Sequence, residues 1–253
     1  MAGLSSRFSE AGYVVPKYML EAHGHSLFAH SLKSFEKYFH EISFLFIVRD
    51  VQGTADFVHA EVKKMGIDNY EVVVLTDPTA GQAETVSLGI AKAGLSLLEP
   101  ITIFNIDTFR PHFEFPLEFN LTKIDGYLEV FRGQGDNWSY VKPDIARKNH
   151  VIETAEKVQI SDLCCTGLYH FGSVRLFNEA YRLYLSDEIL YNKNKEHFIA
   201  PIYNKLIEKG RSIYFCLINR QQVIFCGVPS EYVEFIENKI FSNTVPDILS
   251  NKK

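Results

Sequence analysis

Absences narrow the chemistry of this 253-residue chain first. There is no GxxxxGK[ST] loop and no GxGxxG run, so neither common glycine-rich phosphate fingerprint is present. The four cysteines, Cys164, Cys165, Cys216 and Cys226, form no CxxC pair, and the nine histidines make no HExxH or close Cys/His cluster. Buried free thiols in apolar, strand-like surroundings are expected instead of zinc ligands or disulfides, which suits a reducing cytoplasm. A basic excess is also absent: the net charge of -5 leaves nothing to neutralise a nucleic-acid backbone. No apolar run reaches transmembrane length, and residues 1–20 hold no apolar core of signal type, so a cytoplasmic protein without a membrane partner is expected.

With 46% hydrophobic residues the chain can bury a full core, and its twenty phenylalanines read as core material. Helical spacing is expected over residues 26–39, with Ser26 as N-cap, then over 54–66 and 81–93. Between them stand apolar runs of strand length at 42–48, 70–75 and 101–106. This β-α-β-α-β alternation predicts a parallel sheet covered by helices, with ligands at the carboxyl ends of the strands. Beyond residue 110 the alternation stops. Strands near 126–131, 138–142, 151–155 and 163–171 predict an added mixed or antiparallel lobe over the site. Helices are expected at 173–190 and 200–209, bracketing a polar loop at 192–196. A hairpin of 213–218 with 222–226 and a helix over 230–241 follow. No repeat, low-complexity tract or linker interrupts the chain. It reads as one domain over 1–241, with halves of about 1–110 and 111–241, and a polar tail at 242–253.

Two local features carry chemistry. The opening stretch Met1-Ala-Gly-Leu-Ser-Ser-Arg-Phe-Ser-Glu-Ala-Gly-Tyr-Val-Val-Pro-Lys17 is an anion cradle. Gly3 lets backbone approach a ligand, Ser5 and Ser6 offer donors, and Arg7 and Lys17 bring charge that a polyphosphate can take up. Asp107 closes the apolar run Ile101-Thr-Ile-Phe-Asn-Ile and so projects from a carboxyl edge. A lone carboxylate there suits magnesium, which takes one or two protein carboxylates plus phosphate oxygens and water; a turn or helix-cap aspartate is the plainer alternative.

The opening stretch resembles the G-x-x-[ST]-R-[FLM]…P-K signature of the sugar-phosphate nucleotidyltransferases. Thr79-Ala-Gly-Gln-Ala-Glu-Thr85 is similar to that family's G-x-A-x-T segment. Trp138-Ser-Tyr-Val-Lys, Ala155-Glu-Lys-x-x-Ile-Ser161 and Thr166-Gly-Leu-Tyr-His-Phe171 resemble blocks of a subgroup found in polysaccharide gene clusters, and Gly227-Val-Pro resembles the closing block. The resemblance runs from Ala2 to about Phe235. It implies a Rossmann-like three-layer α/β/α fold of the GT-A-like kind, with a mixed central sheet and a small antiparallel sugar-binding lobe.

The implied reaction joins a nucleoside triphosphate to a sugar 1-phosphate or polyol phosphate, giving a nucleotide sugar and pyrophosphate, with Mg2+ as cofactor and a role in capsule or surface polysaccharide synthesis. The resemblance implies that Ala2, Gly3, Ser5, Ser6, Gly81 and Gln82 bind the nucleotide, although Thr79 capping the following helix is a plainer reading of that segment. Arg7, Lys17, Asp107 and Lys157 would be catalytic, with Asp107 as metal ligand. Glu156, Lys157, Thr166 and Gly167 would face the sugar phosphate, although an adjacent Glu-Lys pair is more often a solvated pair. A homo-oligomer is implied by the same analogy.

Two departures from the pattern stand out. Relatives carry a second metal-binding aspartate two residues before the closing glycine, where this chain has Phe225; Asp162 or Glu196 would have to substitute, or one carboxylate suffices. That departure keeps a non-catalytic nucleotide-binding subunit in view. A glycosyltransferase of the same fold would use a D-x-D motif, which does not occur. Relatives also begin with an apolar strand ahead of the residues matching Met1-Ala-Gly3, and an upstream strand is expected here. A chain extended by such a strand should melt higher than this one in a thermal scan; equal melting temperatures would remove the expectation.

Overall fold

A computed structural model describes residues 1, 3, 5–191 and 196–237. The first half contains α1 (Ser6–Glu10), β1 (Glu21–Ala22), β2 (His25–Ser26), α2 (Leu27–Lys33), β3 (Phe44–Arg49), α3 (Thr54–Lys64), β4 (Tyr70–Leu75), α4 (Gln82–Ala93), β5 (Ile101–Phe104) and β6 (Thr108–Phe109). The second contains β7 (Gly126–Arg132), β8 (Ser139–Pro143), β9 (Val151–Glu156), β10 (Leu163–Phe171), α5 (Val174–Tyr191), α6 (Tyr203–Glu208), β11 (Ile213–Ile218), β12 (Ile224–Phe225) and α7 (Pro229–Glu237). The expected tail at 242–253 and the end of the last helix lie outside the described residues, as do 192–195. Among the described residues no helix is long and apolar enough to cross a membrane.

The β-branched and apolar runs of β3 and β4 pair in parallel, Phe44 opposite Tyr70 through Arg49 opposite Leu75. Helix α3 covers them with Val58 and Val62, both fully buried, and α4 presents Ala83, Val86 and Ile90 at helical spacing to the neighbouring core. The backbone of Met1 lies along β3, its amino group donating to the Ile47 carbonyl at 2.5 Å and its carbonyl accepting from Arg49 N–H. The main sheet is mixed and six-stranded, ordered β11-β7-β10-β8-β9 with β5 also on β10. Strand β10 is buried along its whole length and hydrogen-bonds with β5, β7 and β8. Its register slips between Cys165 and Tyr169, a bulge that bends the strand at Thr166 and Gly167.

Several boundaries correct the sequence expectations. The helix over 26–39 is α2 followed by a 3₁₀ turn at Glu36–Tyr38; Ser26 caps it by accepting from Ala29 N–H at 3.1 Å, and Phe35 turns off to pack on Phe104 and Phe113. The helix over 200–209 begins as a 3₁₀ turn. No hairpin joins 213–218 to 222–226: β11 runs parallel to β7, and β12 pairs antiparallel with β6. Strand β5 pairs antiparallel with β10 and stops at Phe104, because Asn105 N–H bonds the Gly167 carbonyl at the bulge and the chain turns into β6. Asp107 therefore sits in that turn instead of closing the strand.

Beyond β6, Arg110 is 4% exposed and forms a bidentate pair with Glu129 of β7, which is 2% exposed: Nε–Oε1 2.7 Å and Nη2–Oε2 2.9 Å. Nη1 donates to the Gln222 carbonyl at 2.6 Å, and Thr166 donates to Glu129 Oε1 at 2.9 Å. Removing one partner of a satisfied buried pair leaves an uncompensated charge. Arg110→Met is expected to lower unfolding free energy by about 3–5 kcal/mol in urea denaturation; a loss below about 1 kcal/mol would show that Glu129 finds compensation elsewhere.

Candidate active site

The turn after β5, the bulge in β10 and the end of β12 converge on one cleft of about 620 Å³. Ser5, Ser6, Arg7 and Lys17 line it from the opening loop, Gln82 from the start of α4, and Asn105 and Asp107 from the turn. Glu156, Lys157, Thr166 and Gly167 line it as well, Gly167 directly against Asn105. Residues far apart in the chain are thus brought to one surface. Gly3 and Gly81 do not line the cleft, and Ala2 lies outside the described residues.

Lys17 is set by Pro16, which fixes the backbone before it, and by its N–H contact to Ser5 Oγ at 3.4 Å. Its ammonium forms an ion pair with Asp107 Oδ2. Burial pushes the Asp107 carboxyl upward, but the Lys17 ammonium, and more weakly Arg7, outweigh it and hold the group below its ordinary value. Asp107 is consequently ionised at neutral pH. Beside it stands Glu231 of α7, whose Oε2 accepts from Gly227 N–H at 2.8 Å and Val228 N–H at 3.2 Å. A β-carbon added at Gly227 would lie 3.4 Å from Asp107 Oδ2 and 3.6 Å from Glu231 Oε2.

Gln82 is held by Asn105, its Nε2 donating to Oδ1 at 2.7 Å, which leaves Oε1 for another partner. Thr79 does not cap α4: its hydroxyl bonds Thr85 at 2.6 Å and the Gly81 carbonyl at 3.3 Å, while Glu84 takes the Ala80 N–H. Gly81 acts from behind the cleft wall. His197 N–H donates to the Ala80 carbonyl and Ala83 N–H to the His197 carbonyl, each at 2.9 Å. A β-carbon at Gly81 would stand 2.6 Å from the His197 oxygen.

At the far end Ser139 donates to the Glu156 carboxylate. Burial raises the Glu156 carboxyl above its ordinary value, only partly opposed by that bond and by Lys157. Lys157 has a left-handed backbone, φ 58°, with N–H bonded to the Trp138 carbonyl at 2.9 Å, and its ammonium lies 4.5 Å from the Phe198 ring centre. Trp138 and Phe225, 4.6 Å apart, form an aromatic wall. Of the expected substitutes for the missing aspartate, Asp162 pairs with Arg132 and does not line the cleft, whereas Glu196 does. Sequence reading missed Glu231, Asn105 and Phe198. Glu231 carried a signal as the acid following Pro229 at a helix start, but that pattern reads as ordinary capping.

A mixed α/β fold with a polyanion-sized cleft flanked by cationic loops defines the class: this is the nucleotidyltransferase architecture. The chain is 53% identical, over 94% of its length and 98% of the other, to the nucleoside-diphosphate-sugar pyrophosphorylase from Vibrio cholerae RC9, with a TM-score of 0.89. It belongs to that pyrophosphorylase family and is an enzyme of the nucleotidyltransferase class. The inositol-1-phosphate CTP transferase from T. maritima shares the fold at 14% identity and TM-score 0.68, over 93% of this chain and 91% of that one. A UTP-bound UGPase from Acinetobacter baumannii does so at 13% identity and TM-score 0.63, over 93% and 89%. No protein-family model and no curated protein matches the chain.

Gly167 has φ +98°, and a β-carbon there would stand 2.5 Å from Asn105 Nδ2 and 2.7 Å from Cγ. Gly167→Ala should cost about 1–3 kcal/mol of stability through the strained backbone. By displacing Asn105 it should also release Gln82 and weaken nucleotide binding in calorimetry. Unchanged melting temperature and unchanged affinity would refute the close approach.

Proposed function

We propose that this enzyme catalyses Mg-dependent nucleotidyl transfer from a nucleoside triphosphate to a sugar 1-phosphate or polyol phosphate, in the cytoplasm, for capsule or other surface polysaccharide synthesis. The observation that supports the reading is that one cleft of about 620 Å³ is lined by Arg7, Lys17, Asp107 and Lys157 together. An oxygen of the acceptor phosphate attacks the α-phosphorus; the bond to the β-phosphate breaks and pyrophosphate leaves. Such a transfer needs little covalent help. It needs two anionic groups held in line with their repulsion cancelled.

Arg7 and Lys17 hold the triphosphate and the departing pyrophosphate, Ser5 and Ser6 contribute donors beside them, and Gln82 meets the base. Lys157 neutralises the acceptor phosphate, and Glu156, raised toward its protonated form and tied to Ser139, meets sugar hydroxyls. The donor set suits a hard cation that also draws on phosphate and water: the Asp107 carboxylate is ionised, and among the described residues no group of three or more His, Cys, Asp or Glu side chains could hold a metal ion alone. Asp107 would hold magnesium, which supplies charge neutralisation between the reacting phosphates.

The experiment is pyrophosphate release with magnesium across four nucleoside triphosphates and a panel of sugar 1-phosphates and polyol phosphates. One pair should give signal, and Asp107→Asn and Lys157→Ala should each lower kcat/KM on the order of a hundredfold or more. Retention of full activity in either variant would reject the assigned roles.

A further inference from the structure

The segment from Glu196 to Ile199 connects the 80–83 loop to Lys157. At its centre the His197 backbone is clamped to the 80–83 loop by two 2.9 Å hydrogen bonds, with no room at Gly81 for a side chain. The His197 ring is held in turn by the Tyr181 hydroxyl at 2.9 Å. One residue further on, the Phe198 ring lies under the Lys157 ammonium, and the neighbouring Ile199 is buried. Phe198 is thus fixed on both sides along the chain, by a backbone clamp and by a core residue.

What Phe198 does follows from what surrounds Lys157. Glu156 and Glu196 both line this end of the cleft, and Ser139 holds the Glu156 carboxylate. Among the described residues no carboxylate lies within ion-pair distance of Lys157. A ring face attracts an ammonium without cancelling its charge, whereas a carboxylate would neutralise it. We infer that Phe198 is a positioning residue for the acceptor phosphate. It holds Lys157 over its ring without an ion pair to either glutamate, and it is itself positioned from the nucleotide-base loop through His197. The inference rests on the assignment of Lys157 to the acceptor phosphate.

Trp138 is the single tryptophan of the chain; it lines the cleft, and its carbonyl accepts the Lys157 N–H, so its fluorescence reports on this end. The test is a titration of the full chain with inorganic phosphate, read by Trp138 emission, for the wild type, Phe198→Leu, Phe198→Tyr, Lys157→Ala and Gly81→Ala. Phe198→Leu should weaken binding roughly three- to tenfold, while Phe198→Tyr, which keeps the ring face, should bind like the wild type. Gly81→Ala, at the other end of the clamp, should also weaken it. Melting temperatures within about 2 °C of the wild type for both Phe198 variants separate positioning from general damage. Unchanged binding in Phe198→Leu, equal weakening in Phe198→Tyr, or no phosphate response in the wild type would overturn the inference. Wild-type affinity in Lys157→Ala would instead remove the assignment beneath it.

Discussion

The Arg110–Glu129 ion pair is the constraint on which the geometry of the cleft depends. Arg110 follows the short strand β6, and the turn that precedes β6 carries Asp107. Glu129 belongs to β7 in the middle of the six-stranded sheet, and its carboxylate also accepts from Thr166 at the bulge of β10. Through Gln222 the same guanidinium holds the approach to β12, whose end carries Phe225 and Gly227. Three cleft-forming segments are therefore referred, through β7, to one planar fork. A fork of donors with fixed geometry transmits orientation in a way a hydrophobic contact of the same area does not. Its net worth in stability is a different matter, since burying both charges offsets much of their attraction. Its contribution is to register.

Elements whose pattern is local were readable in the sequence. Tyr70–Leu75 and Leu163–Phe171 match their expected spans because each is an apolar run bounded by polar turns. Partnerships between strands were less readable. A hairpin was the short-range solution for 213–218 and 222–226, but β11 gains a long parallel ladder on β7 and β12 an edge on β6, and nothing in the adjacent residues distinguishes these. The break after α2 has the same origin. Helical spacing through Phe39 is real, yet Phe35 gains more from Phe104 and Phe113, two rings that lie some seventy residues away.

The candidate site divides along the same line. Arg7 and Lys17 stood out as charge in a Gly/Ser loop and Asp107 as a carboxylate after an apolar run, whereas Lys157 was singled out only through the family resemblance. Their partners did not stand out. Asn105 under Gln82, Phe198 under Lys157 and Glu231 beside Asp107 are ordinary residues whose role comes only from juxtaposition. Gly81, expected to bind nucleotide, has a different place in the structure: it gives room to the His197 backbone and does not itself line the cleft.

The two lysines at the ends of the cleft end up in unlike electrostatic states. Lys17 is paired with Asp107, and both side chains are about a fifth exposed, so on the proposed roles incoming phosphates meet this pair with the Arg7 charge beside it. At an effective dielectric constant of ~20, unit charges 4 Å apart attract by about 4 kcal/mol. Phosphate oxygens at that end must compensate Lys17 before it leaves Asp107, which ties release of the carboxylate to occupancy. Lys157 has no such exchange to make. Its charge rests on a ring that attracts it without cancelling it, so on the proposed assignment an acceptor phosphate has no bonded carboxylate to displace. On the proposed roles, the two lysines differ in this one respect: Lys17 must exchange a carboxylate for phosphate, and Lys157 need not.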